Sequence, residues 1–267
     1  MRIGVIGYGN LGKAFVHGLV ATGFPQKDIV INARSQKTRD SVTAVFKDIF
    51  VTANKKELVQ QADAIVLVVE PINAADVLLE IKECDLCKKI IVSFMAGITI
   101  ADIRNTLGDN YKAVKIVRVM PNVAIRTGNG VLGITYDGLV TEDIQVLSPI
   151  FHRLGYVLES DEASLNHITV TAASGLAFAA SLMNSYEQAS NILFKDAQVS
   201  REITLRVFEN LIDMVKSEGC SFQDIVQRIA TKGGTTEAGM QSLNEELITE
   251  ALKACILKSY EKTQNIL

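Results

Sequence analysis

Gly7, Gly9 and Gly12 stand at the spacing G-x-G-x-x-G, directly behind the apolar run of Ile3, Val5 and Ile6. Glycines at that spacing suit a dinucleotide. The first permits a tight turn, the second lets a pyrophosphate approach the backbone, and the third lets a helix pack closely on a strand. The phosphates then face free N–H groups at the helix N-terminus. Leu11, Ala14, Phe15, Gly18, Leu19 and Thr22 fall on one helix face, and Gly23 closes the run. Gly7-x4-Gly12-Lys13 is also most of a nucleotide-triphosphate loop. That loop needs Ser or Thr next to hold magnesium, and here the residue is Ala14.

The choice of dinucleotide is written at the end of the second apolar run, Asp28-Ile-Val-Ile-Asn32. An NAD enzyme places a carboxylate here, roughly 20 residues beyond the glycine turn, to accept from the ribose 2′-hydroxyl. This chain has neutral Asn32 and Ala33, then Arg34 and Ser35. A guanidinium, a hydroxyl and no repelling carboxylate suit a 2′-phosphate. NADP(H) is therefore favoured, with NAD(H) as the alternative.

A second glycine element, Ala230-Thr-Lys-Gly-Gly-Thr-Thr-Glu-Ala-Gly-Met240, sits far along the chain. Two glycines, two threonines and a helix start can cradle one carboxylate with backbone N–H groups. The same residues also read as an interhelical turn with a threonine cap, and the sequence leaves both open. Other chemistries find little support. Cys84-Asp-Leu-Cys87 has no second pair and no nearby histidine, so no metal site is expected. A net charge of −3 gives no reason to expect nucleic acid or an anionic membrane surface as a partner. His152 and His167 could serve a ketone reduction but read as packing or surface residues.

These residues need strands and helices to position them. Apolar runs at 28–32, 49–51, 64–69, 89–93 and 114–119 read as buried parallel strands. Stretches at 35–47, 73–82, 99–107 and 141–152 read as helices, and 130–136 as a returning strand. This alternation is that of a doubly wound Rossmann-type sheet. In such sheets ligands gather at the carboxyl ends of the strands. There stand the glycine turn, Arg34-Ser35, Glu70-Pro71, Met95-Ala96-Gly97 and Met120-Pro121-Asn122. Beyond residue 160 strand signals are not read. Ala163 to Tyr186 holds no Asp, Glu, Lys or Arg, yet Asn166, Thr169, Thr171, Ser174 and Asn184 interrupt it too often for a membrane span. A helix through Ala177, Leu182, Tyr186 and Leu193 is expected to be buried on most sides, partly by a second subunit. Ile203, Val207, Leu211 and Val215 mark another helix, and Leu247, Ala251, Leu252 and Cys255 the last. The fold class expected is α/β, followed by an all-helical C-terminal domain that dimerises. The chain enters a strand at once, without a signal peptide, and its cysteines suit a reducing compartment, so the cytoplasm is expected.

The glycine opening, Met120-Pro121-Asn122, Thr171-Ala172 with Ser174-Gly175, and Gly233-Gly234-Thr235-Thr236-x-Ala238-Gly239 match one known pattern in order and spacing. The chain resembles the pyrroline-5-carboxylate reductase family over essentially its whole length. The resemblance implies NAD(P)H-dependent reduction of the cyclic imine 1-pyrroline-5-carboxylate to L-proline, the last step of proline biosynthesis. It implies a Rossmann domain over 1–160 and a helical dimerisation and substrate domain over 161–267, in dimers that often assemble into decamers. Cofactor contacts would fall on Gly7, Tyr8, Gly9, Asn10, Leu11, Gly12, Arg34, Ser35, Asn54, Val69, Glu70, Pro71, Met95 and Ala96. The substrate would meet Met120, Pro121, Thr231, Gly233, Gly234, Thr235 and Thr236, with the Thr236 hydroxyl at the ring nitrogen. This loop would serve the neighbouring subunit's cofactor. Glu70 replaces the family's usual lysine, Leu176-Ala177-Phe178 its serine-glycine-proline, and Thr231-Lys232 its serine-proline. A paralogue acting on another imine or a keto acid, or a non-catalytic NADP(H)-binding relative, would also carry such changes. A β-hydroxyacid dehydrogenase would need a helix lysine, and none lies between Lys115 and Lys195.

Overall fold

A computed structural model describes residues 1–243 and 245–263, except for the side chains of Glu245 and Glu246. The chain divides into two compact units, one of Met1–Ser174 with the segment from Ser259, the other Gly175–Lys258.

In the first unit, strands β1 (Ile3–Ile6), β2 (Ile29–Asn32), β3 (Phe50–Thr52), β4 (Ala64–Leu67), β5 (Ile90–Ser93) and β6 (Lys115–Pro121) are parallel neighbours in the order 3-2-1-4-5-6. β7 (Gly130–Asp137) returns antiparallel to β6, and β8 (Gly155–Glu159) runs parallel to β7 at the edge. Helices α1 (Asn10–Ala21), α2 (Gln36–Val45), α3 (Lys55–Gln61), α4 (Ala74–Ile81), α5 (Ile100–Leu107) and α6 (Thr141–His152) connect the strands. The central strands are apolar on both faces because both faces are covered. Ile3, Val5, Ile29, Ile31 and Val66 turn to one core with Phe15 and Leu19 of α1. Ile6, Val30, Ile65 and Leu67 turn to the other with α3 and α4. Two of these elements, α3 and β8, and a later helix at Phe222–Ile229 carry no clear signal in the sequence. A seven-residue helix holds too few turns to show a period, and β8 leaves Tyr156 and Leu158 exposed, which breaks the strand pattern.

After β8 come α7 (Leu165–Ile168) and one π-helical segment at Thr169–Ser174. The second unit holds α8 (Gly175–Phe194), α9 (Ala197–Glu218), α10 (Phe222–Ile229), α11 (Thr235–Ser242) and α12 (Glu245–Thr263) through Lys258. Lys195, at φ +52°, turns the chain between α8 and α9, and the Asp196 carboxylate caps α9 through the N–H groups of Gln198 and Val199. Tyr186 and Phe208 meet edge-on across that pair, centroids 5.8 Å apart. α8 buries no residue within the chain. The expected burial of Leu182, Tyr186 and Leu193 is therefore not met by this chain's own elements. A sequence period records that a surface is apolar, not what covers it. Leu165–Phe194 is also long and apolar enough, by length and composition alone, to cross a membrane.

Candidate active site

The turn from β1 into α1 is shaped by its glycines. Gly7 takes φ +103°, and a side chain there would strike the Val68 carbonyl oxygen at 2.4 Å. Gly12 sits so close to the turn that a Cβ would lie 2.3 Å from the Gly7 oxygen. Gly9, the N-cap of α1, is extended at φ −77°, and a Cβ there would meet nothing within 4 Å. No side chain caps α1 and no acid occupies its first turn, so its leading N–H groups face outward unpaired. Asn10 and Leu11 open that helix, with Leu11 packed against the core beneath.

Above the turn lies a cleft of about 430 Å³ entirely within the first unit. Gly7, Tyr8, Gly9, Arg34, Ser35, Val69 and Glu70, all expected as cofactor contacts, line it. Burial raises the Tyr8 phenol above its ordinary pKa, so it stays neutral. At the end of β2, Asn32 is buried and donates to the Thr52 carbonyl at 3.3 Å, which leaves the strand end without a carboxylate. Ser35 caps α2, its Oγ accepting from the Thr38 N–H at 3.1 Å and pairing with the Thr38 hydroxyl at 2.7 Å. The Arg34 guanidinium is exposed and makes no hydrogen bond among the described residues.

The far wall comes from residues the sequence reading does not name. Lys55 of α3 and Glu80 of α4 line the cleft and pair at 2.5 Å, beside Asp76. The sheet order brings these helices together, and no local spacing signals it. Asn54, predicted as a cofactor contact, caps α3: its Oδ1 accepts from the Lys56 and Glu57 N–H groups at 2.9 and 3.4 Å. Asn54→Ala is therefore expected to lower stability by about 1 kcal/mol in urea unfolding. Pro71 opens a short 3₁₀ turn before α4. Met95 is buried in the second core, whereas Ala96 packs with Met120 in a small cluster formed with Leu165, Ile168 and Ala172. Asn122 fastens that region, donating to the Ala172 carbonyl at 3.1 Å while its Oδ1 accepts from Ala124 and Val131. His152 is tied to Ser148 at the end of α6, and His167 stacks on Tyr260.

In the second unit, Thr231 to Gly234 form a tight turn ahead of α11, with the Gly234 N–H donating to the Thr231 carbonyl at 3.0 Å. Gly233, at φ +78°, donates its N–H to Glu237 Oε2 at 2.7 Å. Gly234 is the helix N-cap without a side chain, so the N–H groups of Thr235 and Thr236 have no capping partner among the described residues.

Two family models match this chain. The one described as "NADP oxidoreductase coenzyme F420-dependent" covers residues 2–97, and "Pyrroline-5-carboxylate reductase dimerisation" covers 162–266. The pyrroline-5-carboxylate reductase of Aquifex aeolicus is 27% identical over 100% of this chain and 97% of its own. Residues 162–266 thus carry the dimerisation domain of the pyrroline-5-carboxylate reductase family, and the chain is similar from end to end to members of that family. Two solved members show the fold. A pyrroline carboxylate reductase from Plasmodium falciparum superposes with a TM-score of 0.89 at 23% identity, over 100% of this chain and 98% of that one. A pyrroline-5-carboxylate reductase from Coxiella burnetii gives 0.86 at 24%, over 99% and 98%. The chain is an oxidoreductase built from a Rossmann-type sheet and a helical C-terminal region.

Proposed function

We propose that the protein reduces 1-pyrroline-5-carboxylate to L-proline with a nicotinamide dinucleotide, NADP(H) in preference to NAD(H). The observation that carries this reading is the end-to-end likeness to named pyrroline-5-carboxylate reductases. The open space above Gly9 fits the cofactor, since a pyrophosphate needs close approach to that backbone. The Plasmodium falciparum relative was solved with NADP bound.

When bound, the dinucleotide supplies the hydride, and the chain supplies orientation and a dry site. Gly7 to Gly12 and the N-terminus of α1 hold the pyrophosphate, while Tyr8, Val69, Glu70, Pro71, Met95 and Ala96 flank the dinucleotide. Thr231 and the leading backbone N–H groups of α11, at Thr235 and Thr236, take the substrate carboxylate, and Gly233 and Gly234 shape the turn that presents them. Met120 and Pro121 wall the ring. The Thr236 hydroxyl oxygen accepts the N–H of the protonated imine, which aims the adjacent carbon at the hydride of the neighbouring subunit's cofactor. The product amine keeps that proton, so no strong general acid is needed.

Residues 1–160 serve the cofactor and 161–267 serve the substrate and the dimer. A second copy covers the apolar faces of α8, and sedimentation of the purified protein as a dimer or a multiple of it checks this. Four free thiols support a reducing cytoplasm.

Cofactor oxidation by the purified protein with 1-pyrroline-5-carboxylate tests the activity. Turnover favouring NADPH supports both parts of the reading, and turnover favouring NADH keeps the enzyme but overturns the role of Arg34. Tight cofactor binding without turnover would point instead to Leu176, Phe178 and another imine. Arg34→Ala is expected to weaken NADPH about tenfold or more, because one charge-assisted contact is lost, and to leave NADH unchanged. Titration of both nucleotides by fluorescence checks it.

A further inference from the structure

Arg118 is the one charged side chain in the interior among the described residues, 3% exposed. It lies in mid-β6, in register with Ser93 of β5 and Thr135 of β7. Alternation sends Val117 and Val119 to one core, so Arg118 turns to the other side of the sheet with Ile116 and Met120. Its Nη1 donates to Glu162 Oε1 at 2.7 Å. The same oxygen accepts the N–H of Ile100, the first residue of α5, also at 2.7 Å. Arg118 Nε is buried with no partner.

Stability gives a poor reason for this arrangement. A buried guanidinium with an orphan N–H costs desolvation, and well-packed apolar residues in place of such a pair are often as stable or more so. Position gives a better one. Met120 and Pro121 follow Arg118 by two and three residues, and Met95 and Ala96 precede Ile100 by five and four, across Gly97, Ile98 and Thr99. Glu162 holds both segments through one oxygen. Its own carbonyl also accepts from the Leu165 N–H at 3.3 Å, at the entry to the helix whose Leu165 and Ile168 pack on Met120 and Ala96.

We propose that Arg118 and Glu162 are positioning residues for imine reduction: the pair fixes the Met95-Ala96 segment against Met120-Pro121 and so sets the approach of the substrate ring to the nicotinamide. This rests on the reading of the protein as a pyrroline-5-carboxylate reductase. Neither residue touches substrate. Their effect passes through the segments they hold, where small displacements cost reactivity steeply.

The test compares wild type, Glu162→Ala and Glu162→Gln in kinetics, NADPH titration and hydrogen–deuterium exchange. Glu162→Ala is expected to lower kcat/KM for 1-pyrroline-5-carboxylate between about ten- and a hundredfold, with the NADPH Kd unchanged. Exchange should quicken at residues 95–101 and 118–122 and not in β1, β2 or α1. Glu162→Gln keeps an acceptor for both the Ile100 N–H and Arg118, and should recover most of the loss. Wild-type kcat/KM in Glu162→Ala would overturn the proposal, as would a loss that tracks NADPH affinity or that glutamine fails to restore. If wild type does not turn this imine over, the activity reading fails by itself. Exchange then decides whether the pair holds the segments: quickening confined to them supports it, and unchanged exchange overturns it.

Discussion

Gly9→Ala is expected to lose about a hundredfold in affinity for the nicotinamide dinucleotide, roughly 2.8 kcal/mol, while melting at the wild-type temperature. The two halves of that result have separate causes. Gly9 is extended at φ −77° and ψ −161°, a conformation alanine adopts without strain, and its added methyl meets no atom of the protein within 4 Å. Folding therefore does not feel the change. A pyrophosphate drawn to the uncapped N–H groups of α1 would feel it directly, because the methyl stands where the phosphate must approach. Losing one or two charge-assisted contacts accounts for the size of the effect. Gly12→Ala makes the contrast. Its Cβ would lie 2.3 Å from the Gly7 oxygen, so α1 or the turn must move, at a cost of about 1–3 kcal/mol in stability or more. Calorimetric titration beside a thermal melt separates the two variants. Wild-type affinity in Gly9→Ala would remove the pyrophosphate from this turn and the dinucleotide from the cleft.

The same glycines show why part of the site could be read before the fold. A βα turn is a local object, and strand, glycine spacing and helix face all lie within about one βα unit of sequence. Buried parallel strands are equally local, since Val5, Ile31 and Val66 are β-branched and covered on both faces. What stayed hidden is assembled from afar. Lys55 and Glu80 are 25 residues apart, and only the placing of β1 between β2 and β4 brings their helices to one cleft. Arg118 and Glu162 are 44 residues apart, and nothing in a strand reading of Lys115 to Pro121 marks a buried cation. Asn54 shows a third case. Its place before a helix identifies a cap, a role that competes for the same Oδ1 a ligand would need.

Thr236→Ala is expected to lower kcat about ten- to hundredfold while the NADPH Kd stays at its wild-type value. Threonines and serines inside helices usually return their hydroxyl to the carbonyl four residues back. Thr204 does so to Ser200, Ser217 to Asp213 and Thr43 to Arg39. Thr236 is the second residue of α11, so the carbonyl four back belongs to Lys232, in the turn before the helix, and its hydroxyl makes no hydrogen bond among the described residues. The sequence thus places a half-buried hydroxyl at a helix start with no intramolecular use. A protonated cyclic imine needs one such acceptor at nitrogen to fix which way its carbon faces, and little else from the protein. Thr236→Val keeps the shape and removes only the oxygen, so it should match the alanine variant, while Thr236→Ser should restore turnover. Wild-type kcat in the valine variant would show that the hydroxyl is idle. A collapse of NADPH affinity together with kcat would move Thr236 from the substrate to the cofactor. Only a loss confined to turnover, repaired by serine, fits a hydroxyl that orients the imine.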